Sequence, residues 1–131
     1  MTIKAVVGEE HTFSYEVDYT DLVNAAVGAQ SAVTIHEILP EGWGIQDIRV
    51  ETITAFNGSG TRALDMGVTG AATAFFTGLD VKAAGIKAPT VVKYRSTAPA
   101  AIIATLTTAT DNPTAGKVLI TITLQLMRRE N

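Results

Sequence analysis

The stretch KVLITITLQLM, residues 117–127, places an apolar side chain at every second position. Val118, Ile120, Ile122, Leu124 and Leu126 fall on one side, and Lys117, Leu119, Thr121, Thr123, Gln125 and Met127 on the other. A strand buried on one face requires period two. A helix of period 3.6 would spread the same residues around its whole surface. A second alternation, Phe13, Tyr15, Val17 and Tyr19 against Ser14, Glu16 and Asp18, predicts another half-buried strand near the start of the chain.

Between these two, strand and turn signals follow one another at short intervals. Residues 33–39 are a β-branched run stopped by Pro40-Glu41-Gly42, and residues 45–56 form a long strand closed by Asn57-Gly58-Ser59-Gly60. In that long strand Ile48, Val50, Thr52 and Thr54 share one face, with Arg49, Glu51 and Ile53 on the other. Further strands are expected over 63–68, 91–95 and 101–108. Residues 69–74 read as a loop ahead of Phe75-Phe76, and 79–84 as one helical turn stopped at Gly85. The small-residue stretch 21–31 reads as a loop with a single turn. About eight strands with no amphipathic helix predict an all-β chain, an antiparallel β-sandwich. Eight strands favour a jelly roll, with an immunoglobulin-like sandwich as the alternative. The organisation expected is an N-terminal arm over 1–10 and a single β-sandwich domain over 11–131, with no internal repeat.

Gly116-Lys117, just ahead of the last strand, raises the question of a phosphate site. A P-loop needs a glycine five residues before that one, a Ser or Thr after the lysine, and a helix to follow. Here Asp111 and Val118 occupy those positions and a strand follows, so the dipeptide belongs to a turn. Asp111 and Asn112 bond nearby backbone, Pro113 fixes φ, and Gly116 permits φ > 0. The turn joins the strands at 101–108 and 117–127, either as an antiparallel hairpin or across the two sheets of a Greek key.

No catalytic pattern emerges. His11 and His36 lie 25 positions apart, and His36-Glu37 has no second histidine four residues on, so no zinc helix is expected. His36 reads as a strand residue with a hydrogen-bond partner. No serine sits in a Gly-x-Ser-x-Gly elbow. Glu16 and Asp18 share a strand face opposite the aromatics, which makes that face solvent rather than a cleft for paired carboxylates. No enzyme activity, cofactor or metal is therefore expected. Trp43, between Gly42 and Gly44, either plugs one end of the sandwich or anchors a protein or glycan partner. Adjacent Phe75 and Phe76 cannot both point inward from a regular strand, so one is covered by a loop or given to a partner.

Charge limits the partners. Charged residues make up 18 % of the chain, below the roughly 25 % usual for soluble domains, which fits a surface partly hidden in an assembly. Net charge is −3 and no basic stripe is present, so nucleic acid is not an expected partner. There are no cysteines. The first residues do not read as a signal peptide, and no apolar run approaches the roughly 18 residues that cross a membrane, so no membrane partner is expected.

The second half carries a resemblance. Thr77-Gly78-Leu79-Asp80 with Lys82-Ala83-Ala84-Gly85, followed by Asn112-Pro113-Thr114-Ala115-Gly116-Lys117, resembles small virion structural proteins of tailed bacteriophages. In that family a segment like TGxDLKAAG precedes a final strand pair whose loop reads close to NPTAGK. The match spans residues 63–127, about half the chain, and its motifs are structural. The resemblance implies a capsid decoration or cement protein, or a head accessory protein. Such a protein is made in the host cytoplasm and carried on the capsid exterior, as a symmetric oligomer such as a homotrimer bound to the major capsid protein. A tail, neck or fibre component with a receptor- or glycan-binding role is the alternative, and a small β-sandwich enzyme or carbohydrate module a further one. Ile3, Val6 and Val7 of the arm, with Trp43 and Phe76, are the expected contact residues for partners.

Overall fold

The computed structural model describes residues 5–22, 32–92, 94–108 and 111–129. Among these residues nine strands and one helical turn follow in order: β1 Ala5–Asp18, α1 Tyr19–Leu22, β2 Ala32–Leu39, β3 Trp43–Thr54, β4 Arg62–Val68, β5 Ala71–Asp80, β6 Gly85–Lys87, β7 Tyr94–Arg95, β8 Ala100–Thr108 and β9 Lys117–Arg129. One sheet has the order β1-β9-β3-β6, with β7 also on β3, and the other β2-β8-β4-β5; every pairing is antiparallel. The pairs are nested: β1 with β9, β2 with β8, β3 with β6, β4 with β5. A chain folded double and then rolled into two sheets gives this nesting. An immunoglobulin-type order would pair the first two strands, which here lie in different sheets.

The alternation in β9 sets the register. Val118, Ile120, Ile122 and Leu124 are buried, flanked on β1 by Val17, Tyr15, Phe13 and His11 and on β3 by Thr52, Val50, Ile48 and Ile45. The facing sheet contributes Leu64, Met66 and Val68 of β4 opposite Leu106, Ala104 and Ile102 of β8. Each side chain of this size stabilises by about 1.5–3 kcal/mol when fully buried. On the outer face of β9 and β1 hydroxyls pair across strands, Thr12 with Thr123 at 3.3 Å and Ser14 with Thr121 at 3.1 Å.

Several sequence expectations are corrected. Residues 71–74 are strand: β5 begins at Ala71 after a tight turn at Thr69-Gly70. The approach of β5 explains Gly67, where a Cβ would stand 2.1 Å from the Ala71 carbonyl oxygen. The expected helical turn at 79–84 is absent. Leu79 pairs with Leu64 in the sheet, the Asp80 carboxylate accepts from the Lys82 amide at 2.9 Å, and Gly85 opens β6. An isolated four-residue helix has too few hydrogen bonds to compete with that ladder. Of the expected strand at 91–95 only Tyr94 and Arg95 pair with β3. The Val92 amide donates to the Phe75 carbonyl at 2.9 Å, so the chain crosses to the other sheet here. β8 and β9 lie in different sheets, so the turn between them bridges the sandwich and is not a hairpin.

From Ala5 the expected arm is the outer end of β1, where Ala5, Val6 and Val7 pair with Arg129, Arg128 and Met127. The pairing of β3 with β9 starts at Trp43 and Leu126, so beyond that point β1 and β9 form a two-stranded ribbon among the described residues. Ile3 lies outside the described residues, as does 23–31 of the loop expected after the first strand.

Candidate functional site

Two places gather the side chains that β-sheet packing alone does not explain. The first is the junction of the loops after β3 and before β9. Arg62, at the head of β4, is 1 % exposed. Its Nε donates to the Asn57 carbonyl at 2.9 Å, Nη1 to the Thr61 carbonyl at 3.0 Å and Nη2 to Asp111 Oδ1 at 2.9 Å. The same carboxylate oxygen accepts from the Gly60 amide at 3.2 Å. The hydrogen bond from Arg62 holds the Asp111 carboxyl below its ordinary pKa, overcoming the opposing effect of desolvation. Asn57 completes the junction: its Oδ1 accepts from the amides of Thr114 and Ala115 at 2.8 and 3.1 Å, and its Nδ2 donates to Thr114 Oγ1 at 2.9 Å. Gly116 lies against Phe56, where a Cβ would stand 2.6 Å from the ring. Lys117 meets Glu16 at 3.3 Å on the surface. The Gly-Lys dipeptide thus has structural partners on both residues, and the junction is a clamp between loops.

The second place lies where the edges of the two sheets come together at β1 and β2. Phe13 and Tyr15 face inward from β1, and His11, exposed, continues the same face, in register with Ile122, Ile120 and Leu124. His36 projects from β2, where a register shift after Thr34 brings it opposite buried Ile102. Ring centroids are 5.1 Å apart for Phe13 and His36, and 5.3 Å for His11 and Trp43. The Tyr15 hydroxyl lies 2.6 Å from His36 Nδ1. Burial pushes the Tyr15 pKa above its ordinary value, so the phenol keeps its proton. His11, Phe13, His36, Pro40, Trp43 and Leu124 line an open pocket of about 210 Å³. Its walls are aromatic and aliphatic with two imidazoles at the rim, which suits an apolar group of a ligand or partner.

Of the expected contact residues, only Trp43 lines this pocket. It is half-buried against His11, with part of its ring on the pocket. Val6 and Val7 belong to the ribbon end of β1. Phe75 and Phe76 are both buried, at 0 and 6 % exposure. Register shifts on either side of the Met66–Phe76 pair break the alternation, and Phe76 shares a groove with Pro89, Thr90 and Val92 of the crossing segment. Its own chain therefore covers Phe76, on the edge of the fold away from Trp43. The pocket itself was legible in part: His11 continues the alternation of Phe13 and Tyr15. Nothing in sequence marked Arg62 as buried. Among the described residues no three histidine, aspartate or glutamate side chains converge as a metal site.

No protein-family model and no curated protein sequence matches the chain. Solved structures do. A chain in the acid-stable capsid structure of Helicobacter pylori bacteriophage KHP30 superposes with a TM-score of 0.67 at 14 % identity, over 98 % of both chains. A chain in the capsid asymmetric unit of cyanophage Pam1 gives a TM-score of 0.58 at 19 % identity, over 96 % of this chain and 89 % of that one. At such identities the likeness is one of fold, and it extends over nearly the whole chain.

Proposed function

We propose that the chain is a non-enzymatic capsid decoration or cement protein, which binds the outer surface of a phage capsid as a symmetric oligomer and stabilises contacts between capsomers. The observation that carries this reading is the end-to-end likeness of fold to a chain in a phage capsid structure. The nested strand order supports it, read as a jelly roll, a double-sheet form that viral capsid domains use. The motifs shared with small tailed-phage virion proteins at residues 77–85 and 112–117 add to it.

The physical task of such a protein is to hold neighbours in place. A rigid sandwich does this through area. Interfaces of standard size bury roughly 1,600 Å² in total, and many copies on one shell act together, so each contact can be weak on its own. The partners proposed are identical subunits, a homotrimer being the expected number, and the major capsid protein. Purified protein added to capsids lacking it should bind at saturable, symmetric positions. Absence of binding to such capsids would refute the reading.

The pocket at Trp43 favours one second reading, a tail or fibre component that stacks a sugar ring. Loss of glycan-array signal in Trp43→Ala, with labelling of the tail, would establish it.

A further inference from the structure

Asn57-Gly58 is the only Asn-Gly pair in the chain. In an unfolded chain such a pair is chemically labile. Hydroxide removes the proton of the Gly58 amide, and the nitrogen attacks Cγ of Asn57. The Cγ–Nδ2 bond breaks, and ammonia leaves after taking a proton from water, which restores the hydroxide. A five-membered succinimide remains. Water then opens it at either carbonyl and leaves aspartate or β-linked isoaspartate. Glycine favours the attack because it has no Cβ to hinder its nitrogen or restrict its backbone.

The fold nevertheless requires both residues. Oδ1 of Asn57 accepts from the amides of Thr114 and Ala115, and Nδ2 donates to Thr114 Oγ1, so position 57 needs an acceptor and a donor at once. The main chain of Asn57 is held as well. Its amide donates to the Ala115 carbonyl at 3.3 Å, and its carbonyl accepts from Arg62 Nε at 2.9 Å. Gly58 takes a φ of +112°, and a Cβ there would stand 2.1 Å from Arg62 Nη2 and 2.5 Å from Asp111 Oδ2. A side chain at 58 would push apart the Arg62–Asp111 pair, so conformation and space both demand glycine.

The bonds that require Asn57 also oppose its chemistry. Attack needs the Gly58 nitrogen about 3–3.5 Å from Cγ and aligned with the carbonyl. The side chain must then turn onto its own backbone, yet it is tied by three hydrogen bonds to residues 57 and 58 positions further along the chain. We infer that Asn57 is a deamidation site kept silent by the closed junction, and that opening of the loops at 57–62 and 111–116 exposes it to irreversible conversion. When the junction recloses faster than the ring forms, the rate follows the population of the open form. Isoaspartate adds one atom to the main chain and turns the former Cγ–Oδ1 group into a peptide carbonyl. The bonds to Thr114, Ala115 and Arg62 cannot then all be remade, and the clamp is lost for good.

The test incubates the full chain, folded and unfolded in guanidinium chloride, in the same mildly alkaline buffer. Peptide mass spectrometry reads the exchange of NH2 for OH at Asn57, and chromatography separates isoaspartate from aspartate. The folded protein should convert at least about tenfold more slowly than the unfolded chain. Arg62→Ala, which opens the junction more often, should raise the folded rate about tenfold. Thr114→Val removes only the partner of Nδ2 and should raise it by a smaller factor, which keeps the test decisive if melting curves show that Arg62→Ala does not fold. Equal rates in the folded and unfolded wild type, or folded variants no faster than wild type, would overturn the gate. So would a faster folded rate, in which the Thr114 and Ala115 amides serve as donors to the oxyanion of the attack. An unfolded chain that does not convert at Asn57 would overturn the site itself.

Discussion

At the scale of single residues, Arg62 is the side chain with the most structural consequence. A fully buried guanidinium that bonds two carbonyls and a carboxylate ties the loop at 57–62 to the loop at 111–116. Arg62→Ala should lower stability by about 3 kcal/mol, since it removes charge-assisted bonds and leaves carbonyls unpaired. Chemical denaturation at neutral pH measures it. Arg62→Lys should recover little, because an ammonium cannot reproduce the planar fork. Asp111 adds a pH dependence of fixed sign. Its folded pKa lies below the ordinary carboxylate value, so its contribution is present above that value and is lost as pH falls through the lower, folded pKa. Asp111→Asn should therefore melt below the wild type at pH 7, and the gap should close in strong acid. A gap constant with pH would show that the carboxylate charge is not what stabilises the junction. Sequence foresaw a turn here but assigned Asp111 to local backbone, because a partner 49 residues away leaves no mark on local composition.

At the scale of elements, legibility tracks regularity. β9 reads cleanly because it is a central strand with one face wholly in the core, so every second residue is under the same constraint. Ile120 lies in its first third and is fully buried. Ile120→Ala should cost about 2–5 kcal/mol, measured by denaturant titration. β5 does not read as a strand because its pairing with β4 shifts register twice, and those shifts erase period two while leaving Phe75 and Phe76 both buried. β6, three residues long, is too short to carry a pattern, and of the strand expected over 91–95 only β7 pairs among the described residues. The ribbon end of β1 yields the next prediction. Beyond the Trp43–Leu126 pair no third strand joins it among the described residues, and no buried residue described precedes Val17. The truncated protein should melt within a few degrees of the full chain yet bind capsids more weakly. Equal binding by the truncated protein would remove the arm from the contact.

At the scale of the whole molecule, nesting of the four strand pairs brings Ala5 and Arg129 together and puts the earliest strands on one side. Few charges overall suit a surface partly covered in an assembly. The measurement that most directly tests the central claim is a cryo-electron microscopy reconstruction of capsids lacking this protein, before and after the purified protein is added. The account predicts new density on the outer surface at symmetric positions, shaped as the sandwich and repeated as a closed oligomer. A shell unchanged after addition would contradict it.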